Sequence, residues 1–275
     1  MSAPVDLSRD KVLYVVATSH LDTQWRWTFV ETIRTFIPRT LSDNFELFRK
    51  FPLYQFSFEG AYRYRLAKEY YPELHAELKR WVAAGRWHVC GSAVDAGDVN
   101  TVTPESLVRQ VLYGNGFFAR EYGVVSRDIF LPDCFGFGWA LPTVAAHCGL
   151  RGFSTSKLEW GSQRGIPFNI GQWTGPDGRG VLACLNPSQY AQGFKNDLSW
   201  DATWIDRIEA TGKTSGVFAD FKYFGLGDVG GAPDEASVQA LERSIKSNGP
   251  IKVISAPADR LARDITEERR ARLPK

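Results

Sequence analysis

Ser19-His20-Leu21-Asp22 directly follows a β-branched apolar run, Val12 to Thr18, that reads as a buried strand. Side chains alternate along a strand, so His20 and Asp22 leave its end in the same direction and bring one imidazole and one carboxylate toward a point. Zinc takes such nitrogen and oxygen donors, and the carboxyl ends of parallel strands are where α/β folds keep their chemistry. A structural histidine and a helix-capping aspartate would use the same residues, and the motif alone leaves both readings open. A second acid, Asp133, stands in Leu131-Pro132-Asp133-Cys134-Phe135-Gly136-Phe137-Gly138, just after another predicted strand and among glycines that permit a tight turn and close ligand approach. Its alternative role is to close a local turn. A third, Asp228, lies in Gly225-Leu226-Gly227-Asp228-Val229-Gly230-Gly231-Ala232-Pro233, after a strand predicted to end near Tyr223. Acids recurring at strand ends suggest paired-carboxylate chemistry, in which one oxygen attacks while a second carboxyl protonates the leaving group. Asp133 and Asp228 are the natural pair.

Other chemistries lack their residues. No Gly-Lys-Ser/Thr follows the glycine-rich loop, which excludes a phosphate loop, and there is no Gly-x-Ser-x-Gly for a serine hydrolase. The four cysteines, Cys90, Cys134, Cys148 and Cys184, are far apart with no Cys-x-x-Cys pair, and are read as free thiols. Thirty-three Lys and Arg against 31 Asp and Glu, a net charge of +2, give no basic excess for a nucleic-acid partner. No apolar run reaches the roughly 18 residues of a membrane span, and the opening stretch has no leader pattern, so a soluble, cytoplasmic protein is expected.

The elements that must position these acids alternate along the chain. A long helical stretch separates the first strand from a second at Tyr54 to Phe58. A helix from Pro72 ends at Gly85, before a strand from Trp87 to Val94. Thr103-Pro104-Glu105 opens a helix with an N-cap, a proline at the first position and an acid near the positive end of the dipole. Strands are expected near Ile129 to Leu131 and Gly152 to Thr155, with a short helix between them. A hairpin from Phe168 to Leu185 turns at Gly175-Pro176-Asp177-Gly178. Later come a helix around Trp204, a strand Gly216 to Tyr223, a helix Asp234 to Ser247 and a strand Ile251 to Ser255. Strands separated by helices argue for an α/β fold with a mainly parallel sheet, and about seven of them suit an irregular barrel in one domain, residues 1–275. The segment from Asp259 onward, rich in Arg and Glu, reads as a frayed helix or a cut end.

Taken together and in this order, SHLDTQW, ELKRWVAAGRWHVCG, DVNTVTPESLVRQVLYGNGFFAREYGV, DIFLPDCFGFGWALPTVAAHCGLRGFSTSKLEWG and GLGDVGGAP resemble glycoside hydrolase family 38, the α-mannosidases, from Val12 to about Pro257. The resemblance implies hydrolysis of terminal α-mannosyl linkages with retention and one zinc ion on His20, Asp22 and Asp133. Asp133 is then also the nucleophile and Asp228 the acid/base. It implies sugar contacts from Trp25, Phe135, Lys157 and Tyr190, with Asp98 and Asn100 as pocket support. It further implies a histidine ligand beyond residue 275, so that the chain is the amino-terminal catalytic barrel without downstream helical and β-rich domains. The expected partner is a mannoside or mannose-containing oligosaccharide, with homo-oligomer formation left open. Two rival readings remain. A metal-dependent polysaccharide deacetylase would need a further histidine pair at helical spacing, which is not found here, and a sugar-binding protein without turnover would need neither Asp133 nor Asp228.

Overall fold

The computed structural model describes residues 5–160 and 165–275. Val12–Ser19 (β1) is buried along its whole length, which is why it reads as an unbroken apolar run rather than as an alternation. Leu13, Val15 and Ala17 pack into one hydrophobic cluster and Val12, Tyr14 and Val16 into another, so both faces of the strand are covered. Eight further strands follow among the described residues: Phe56–Glu59 (β2), Trp87–Cys90 (β3), Asp128–Phe130 (β4), Gly152–Ser154 (β5), Ile170–Thr174 (β6), Gly180–Cys184 (β7), Ala219–Leu226 (β8) and Lys252–Ser255 (β9).

Pairing divides them into two sheets. One runs β3-β2-β1-β8, all parallel, with β9 also pairing β1. β9 takes Val12 to Val15 of β1 and β2 takes Ala17 to Ser19, so the two share β1 end to end. The other sheet runs β4-β5-β7-β6, parallel except for the β6–β7 hairpin. The fold is therefore mixed α/β with mainly parallel strands, as expected. Nine strands in two sheets stand where about seven were expected, because the hairpin adds two, β6 and β7, with β7 a parallel neighbour of β5. Hydrogen bonds cross between the sheets at two seams. Ser92 Oγ donates to the Asp128 carbonyl (2.8 Å), and Tyr223 N donates to the Pro187 carbonyl (2.6 Å).

Strand limits shift where glycine or a turn intervenes. β3 stops at Cys90 rather than Val94 because Gly91 and Ser92 both take positive φ, 81° and 62°. β8 starts at Ala219 because Gly216, at φ 72°, is the left-handed cap of the helix Ala202–Ser215. The helix Pro104–Tyr122 begins as expected, with Thr103 accepting from Ser106 N. The carboxyl-terminal segment is not frayed. It forms two short helices, Arg260–Asp264 and Glu267–Arg270, and buries Leu261, Ile265 and Leu273 at 1%, 2% and 3% exposure. Those three apolar residues, few in number but spaced to face inward, outweigh the charged composition.

Candidate active site

The candidate side chains sit at or just past the carboxyl ends of strands. His20 and Asp22 follow β1, Glu59 is the last residue of β2, and Asp133, Lys157, Tyr190 and Asp228 follow β4, β5, β7 and β8. Parallel strands present these ends on one side, so residues far apart in sequence meet.

They meet around His20, which is buried. Its Nε2 lies 3.4 Å from Asp22 Oδ1 and 3.7 Å from Asp133 Oδ2, while Nδ1 is hydrogen bonded to Glu59 Oε1 at 2.5 Å. Burial works against a charged imidazole, but the carboxylates of Glu59 and Asp22 more than offset it and raise His20 to about 10. Lys157, itself buried, forms an ion pair with Asp133 Oδ1 and leaves Oδ2 turned to His20. The ammonium also lies 3.4 Å from the ring centre of Trp160 and 4.7 Å from that of Phe135, two aromatics that are 65% and 80% exposed. Tyr190 packs edge-on against the His20 ring with centroids 5.7 Å apart, and its hydroxyl reaches both Asp133 and Asp228, 3.4 Å from Asp228 Oδ1. Burial and those two acids raise its phenol far above the usual range, which keeps the proton on the hydroxyl.

Backbone hydrogen bonds tie the first motif to the glycine-rich loop. Asp22 N donates to the Asp228 carbonyl (2.8 Å) and Gly230 N to the His20 carbonyl (3.1 Å), with an isolated bridge between Leu21 and Val229. Asp228 itself holds a left-handed φ of 62°, a strained conformation that such surroundings must impose. From below, the buried Arg63 guanidinium donates to the Leu21 carbonyl through Nε at 2.8 Å and pairs with Asp95 at 2.6 Å.

The remaining residues expected from sequence fall around this centre. Trp25 is 52% exposed on the loop after Asp22, edge-on to Trp27. Asp98 is exposed and accepts from Asn100 N at 2.8 Å, a local turn at the rim of a cavity of about 90 Å³ that Glu59 also lines. Asn100 lies against Gly136 and Gly138 of the Asp133 loop. Cys134, pushed up to about 12 by burial, is no nucleophile. Sequence reasoning missed Glu59, Arg63 and Trp160. Glu59 carried the same signal as the others, an acid at a strand end, but the strand was expected to stop one residue short of it.

Among the described residues no group of three or more His, Cys, Asp and Glu side chains is arranged as a ready-made metal site. In type, the donors match zinc: one imidazole nitrogen, with carboxylates of Asp22 and Asp133 beside it. Glu59 on the far ring nitrogen is the outer partner that metal-binding histidines usually have.

Comparison with known proteins adds family and fold. The family profile described as Glycosyl hydrolases family 38 N-terminal domain matches residues 11–274. Alpha-mannosidase 2C1 of Mus musculus is 30% identical over 248 residues, which are 89% of this chain and 23% of that protein. An alpha-mannosidase of Saccharomyces cerevisiae is 29% identical over 235 residues, 84% of this chain and 21% of its own. The chain thus spans under a quarter of the length of these curated relatives. The crystal structure of an alpha-mannosidase from Enterococcus faecalis superposes with a TM-score of 0.72 at 18% identity, over 97% of this chain and 30% of that one, a likeness of fold.

Proposed function

Since the chain belongs to glycoside hydrolase family 38, we propose that its site serves zinc-dependent hydrolysis of terminal α-mannosyl linkages with retention, Asp133 acting as nucleophile and Asp228 as acid/base. The observation that carries this reading is the convergence of Asp22 and Asp133 on Nε2 of His20, with Tyr190 reaching from Asp133 to Asp228. In the same reading the two sheets, hydrogen bonded at the β3–β4 and β7–β8 seams, are two arcs of one irregular β/α barrel. Four cysteines without a disulfide suit a cytoplasmic setting.

A carboxylate attacks the anomeric carbon as the bond to the leaving oxygen breaks and Asp228 gives that oxygen its proton. A water that returns a proton to Asp228 then displaces Asp133. Lys157 pairs with Asp133 Oδ1 and leaves its other oxygen aimed inward, toward His20. The Tyr190 hydroxyl, held protonated, donates to whichever of the two acids carries charge. Phe135 and Trp160, exposed on either side of Lys157, offer faces to a sugar ring. Zinc held by His20, Asp22 and Asp133 would supply Lewis acidity toward the sugar hydroxyls.

A deacetylase is less well supported, because the three other histidines lie elsewhere. His75 is in the helix Pro72–Ala83, His88 is within β3 on Gln55, and His147 is exposed. The test is nitrophenol release from 4-nitrophenyl α-mannoside by the 275-residue chain with and without added zinc. Zinc-dependent release is expected, with the rate lowered by about 10³-fold or more in Asp133→Asn. A variant that keeps its rate refutes Asp133 as nucleophile, and no release from a zinc-loaded chain refutes hydrolysis by this chain.

A further inference from the structure

We infer that Glu59 is the positioning residue of this centre: its carboxylate holds the hydrogen of His20 on Nδ1, so that Nε2 is the nitrogen that gives up its hydrogen and turns a lone pair toward the point shared with Asp22 and Asp133 when zinc binds. The inference rests on the zinc reading above and adds a residue to it that neither the sequence motifs nor the family resemblance brought forward.

Strand pairing puts Glu59 there. β2 runs parallel to β1 with Phe58 opposite Ser19, so the next residue of each strand, Glu59 and His20, lie side by side. Glu59 is 1% exposed, and Oε1 is 2.5 Å from His20 Nδ1 while Oε2 has no hydrogen-bond partner. Burying a carboxylate with one oxygen unpaired is costly, and a packing role would be served as well by glutamine or leucine. The bond to His20 is what the charge provides. Were Nδ1 to give up its hydrogen instead, Nε2 would keep its own and offer no donor pair to a cation, and Glu59 would face a bare Nδ1 lone pair.

The same stretch fixes the other side of the motif. Gly60 turns at φ 78°, where a side chain would meet the Arg63 guanidinium at 2.1 Å. The helix Ala61–Tyr70 therefore starts at once and sets Arg63 under the Leu21 carbonyl. The end of β2 and the helix after it thus hold the imidazole of His20 by its ring and the Leu21–Asp22 peptide by its oxygen. Tyr190, edge-on to the ring, opposes its rotation.

The measurement is the zinc dissociation constant of the 275-residue chain, by competition with a chromogenic chelator at one neutral pH. Glu59→Gln is expected to weaken binding by about 10-fold, since the amide oxygen accepts the bond without the charge, and Glu59→Ala by about 100-fold. In a His20→Ala background Glu59→Gln is expected to change nothing further. Metal-free melting curves report whether each variant is folded. Independently of any variant, nitrogen NMR of the zinc-loaded wild-type chain is expected to show hydrogen on Nδ1 and metal on Nε2 of His20. Wild-type zinc affinity in folded Glu59→Gln and Glu59→Ala overturns the inference, as does an undiminished effect of Glu59→Gln in the His20→Ala background or the reverse tautomer. A wild-type chain that binds no zinc overturns the metal reading itself, and the role of Glu59 with it.

Discussion

Asp128, at the start of β4, sits at the seam between the two sheets and gives the stability of this fold a definite pH dependence. Its carboxyl is 2% exposed. Oδ1 accepts from Ser126 Oγ at 2.5 Å and Gly91 N at 3.3 Å, while Oδ2 has no partner. Burial first, and then repulsion from Asp259, push it from an ordinary value of 3.8 up to about 7. Asp259 in turn is paired with Arg263. An acid raised on folding binds its proton more tightly folded than unfolded. Stability is therefore fully present below about 4, falls as the pH climbs through the window from 3.8 to about 7, and is flat above it. At about 1.4 kcal/mol per unit, the fall is on the order of 4 kcal/mol, an upper bound because Asp259 shares the charge repulsion. Asp128→Asn keeps the size and the acceptor oxygen but stays neutral throughout. Urea denaturation followed by the fluorescence of the nine tryptophans should find the variant close to wild type at the acid end and more stable by a few kcal/mol at the alkaline end. Wild-type and variant curves that run parallel across the window would refute the reasoning.

Two further outcomes follow from contacts outside the reacting groups. Arg63→Met leaves the Leu21 carbonyl unpaired and takes the guanidinium from Asp95; because Asp95 keeps Thr23 Oγ1, Ala96 N and some contact with water, the cost is expected near the low end of the range for a broken buried pair, about 3 kcal/mol by urea denaturation, and a loss under about 1 kcal/mol would contradict the clamp. Gly225, at φ 154°, runs so close to β1 that a Cβ would stand 1.7 Å from the Thr18 carbonyl, whereas Gly85 at φ 67° has nothing within 4 Å. Gly225→Ala should cost about 3 kcal/mol or more, lowering Tm by ~10 °C, against about 1 kcal/mol for Gly85→Ala, and equal losses would show that φ alone, not the clash, sets the cost.

Much of this could be read in the sequence because local rules decided it. The run from Val12 to Thr18, the capped helix from Pro104 and the hairpin at Gly175-Pro176-Asp177-Gly178 follow from residue periodicity and turn chemistry, and they appear as expected, the strand one residue longer. His20, Asp22, Asp133 and Lys157 do come together, in keeping with motifs whose acids sit at strand ends. What eluded the sequence was set by pairing between strands. Glu59 gains its role only from the register of β2 on β1, and Arg63 only from the turn at Gly60 that aims it back at Leu21. Likewise the buried tail depends on Leu261, Ile265 and Leu273 finding the cluster around Tyr14 and Phe221, a long-range match that composition, dominated there by charge, conceals.

The seam and the site are linked by one short strand. β4 carries Asp128 at its first residue, and Asp133 follows three residues past its end, so the sheet contact at one end and Asp133 at the other share one segment. His20 belongs to the other sheet, through β1. The 3.7 Å approach of Asp133 to His20 therefore spans the two sheets and depends on how β3 and β4 are held together. Ser92 Oγ on the Asp128 carbonyl and Gly91 N on its side chain supply that hold. Ionising Asp128 adds charge beside Asp259 without adding a partner for Oδ2, which strains the seam rather than tightening it. The expected loss of stability toward neutral pH is accordingly placed where it bears on the separation of Asp133 from His20, and Asp128→Asn should steady that separation without altering any side chain around His20.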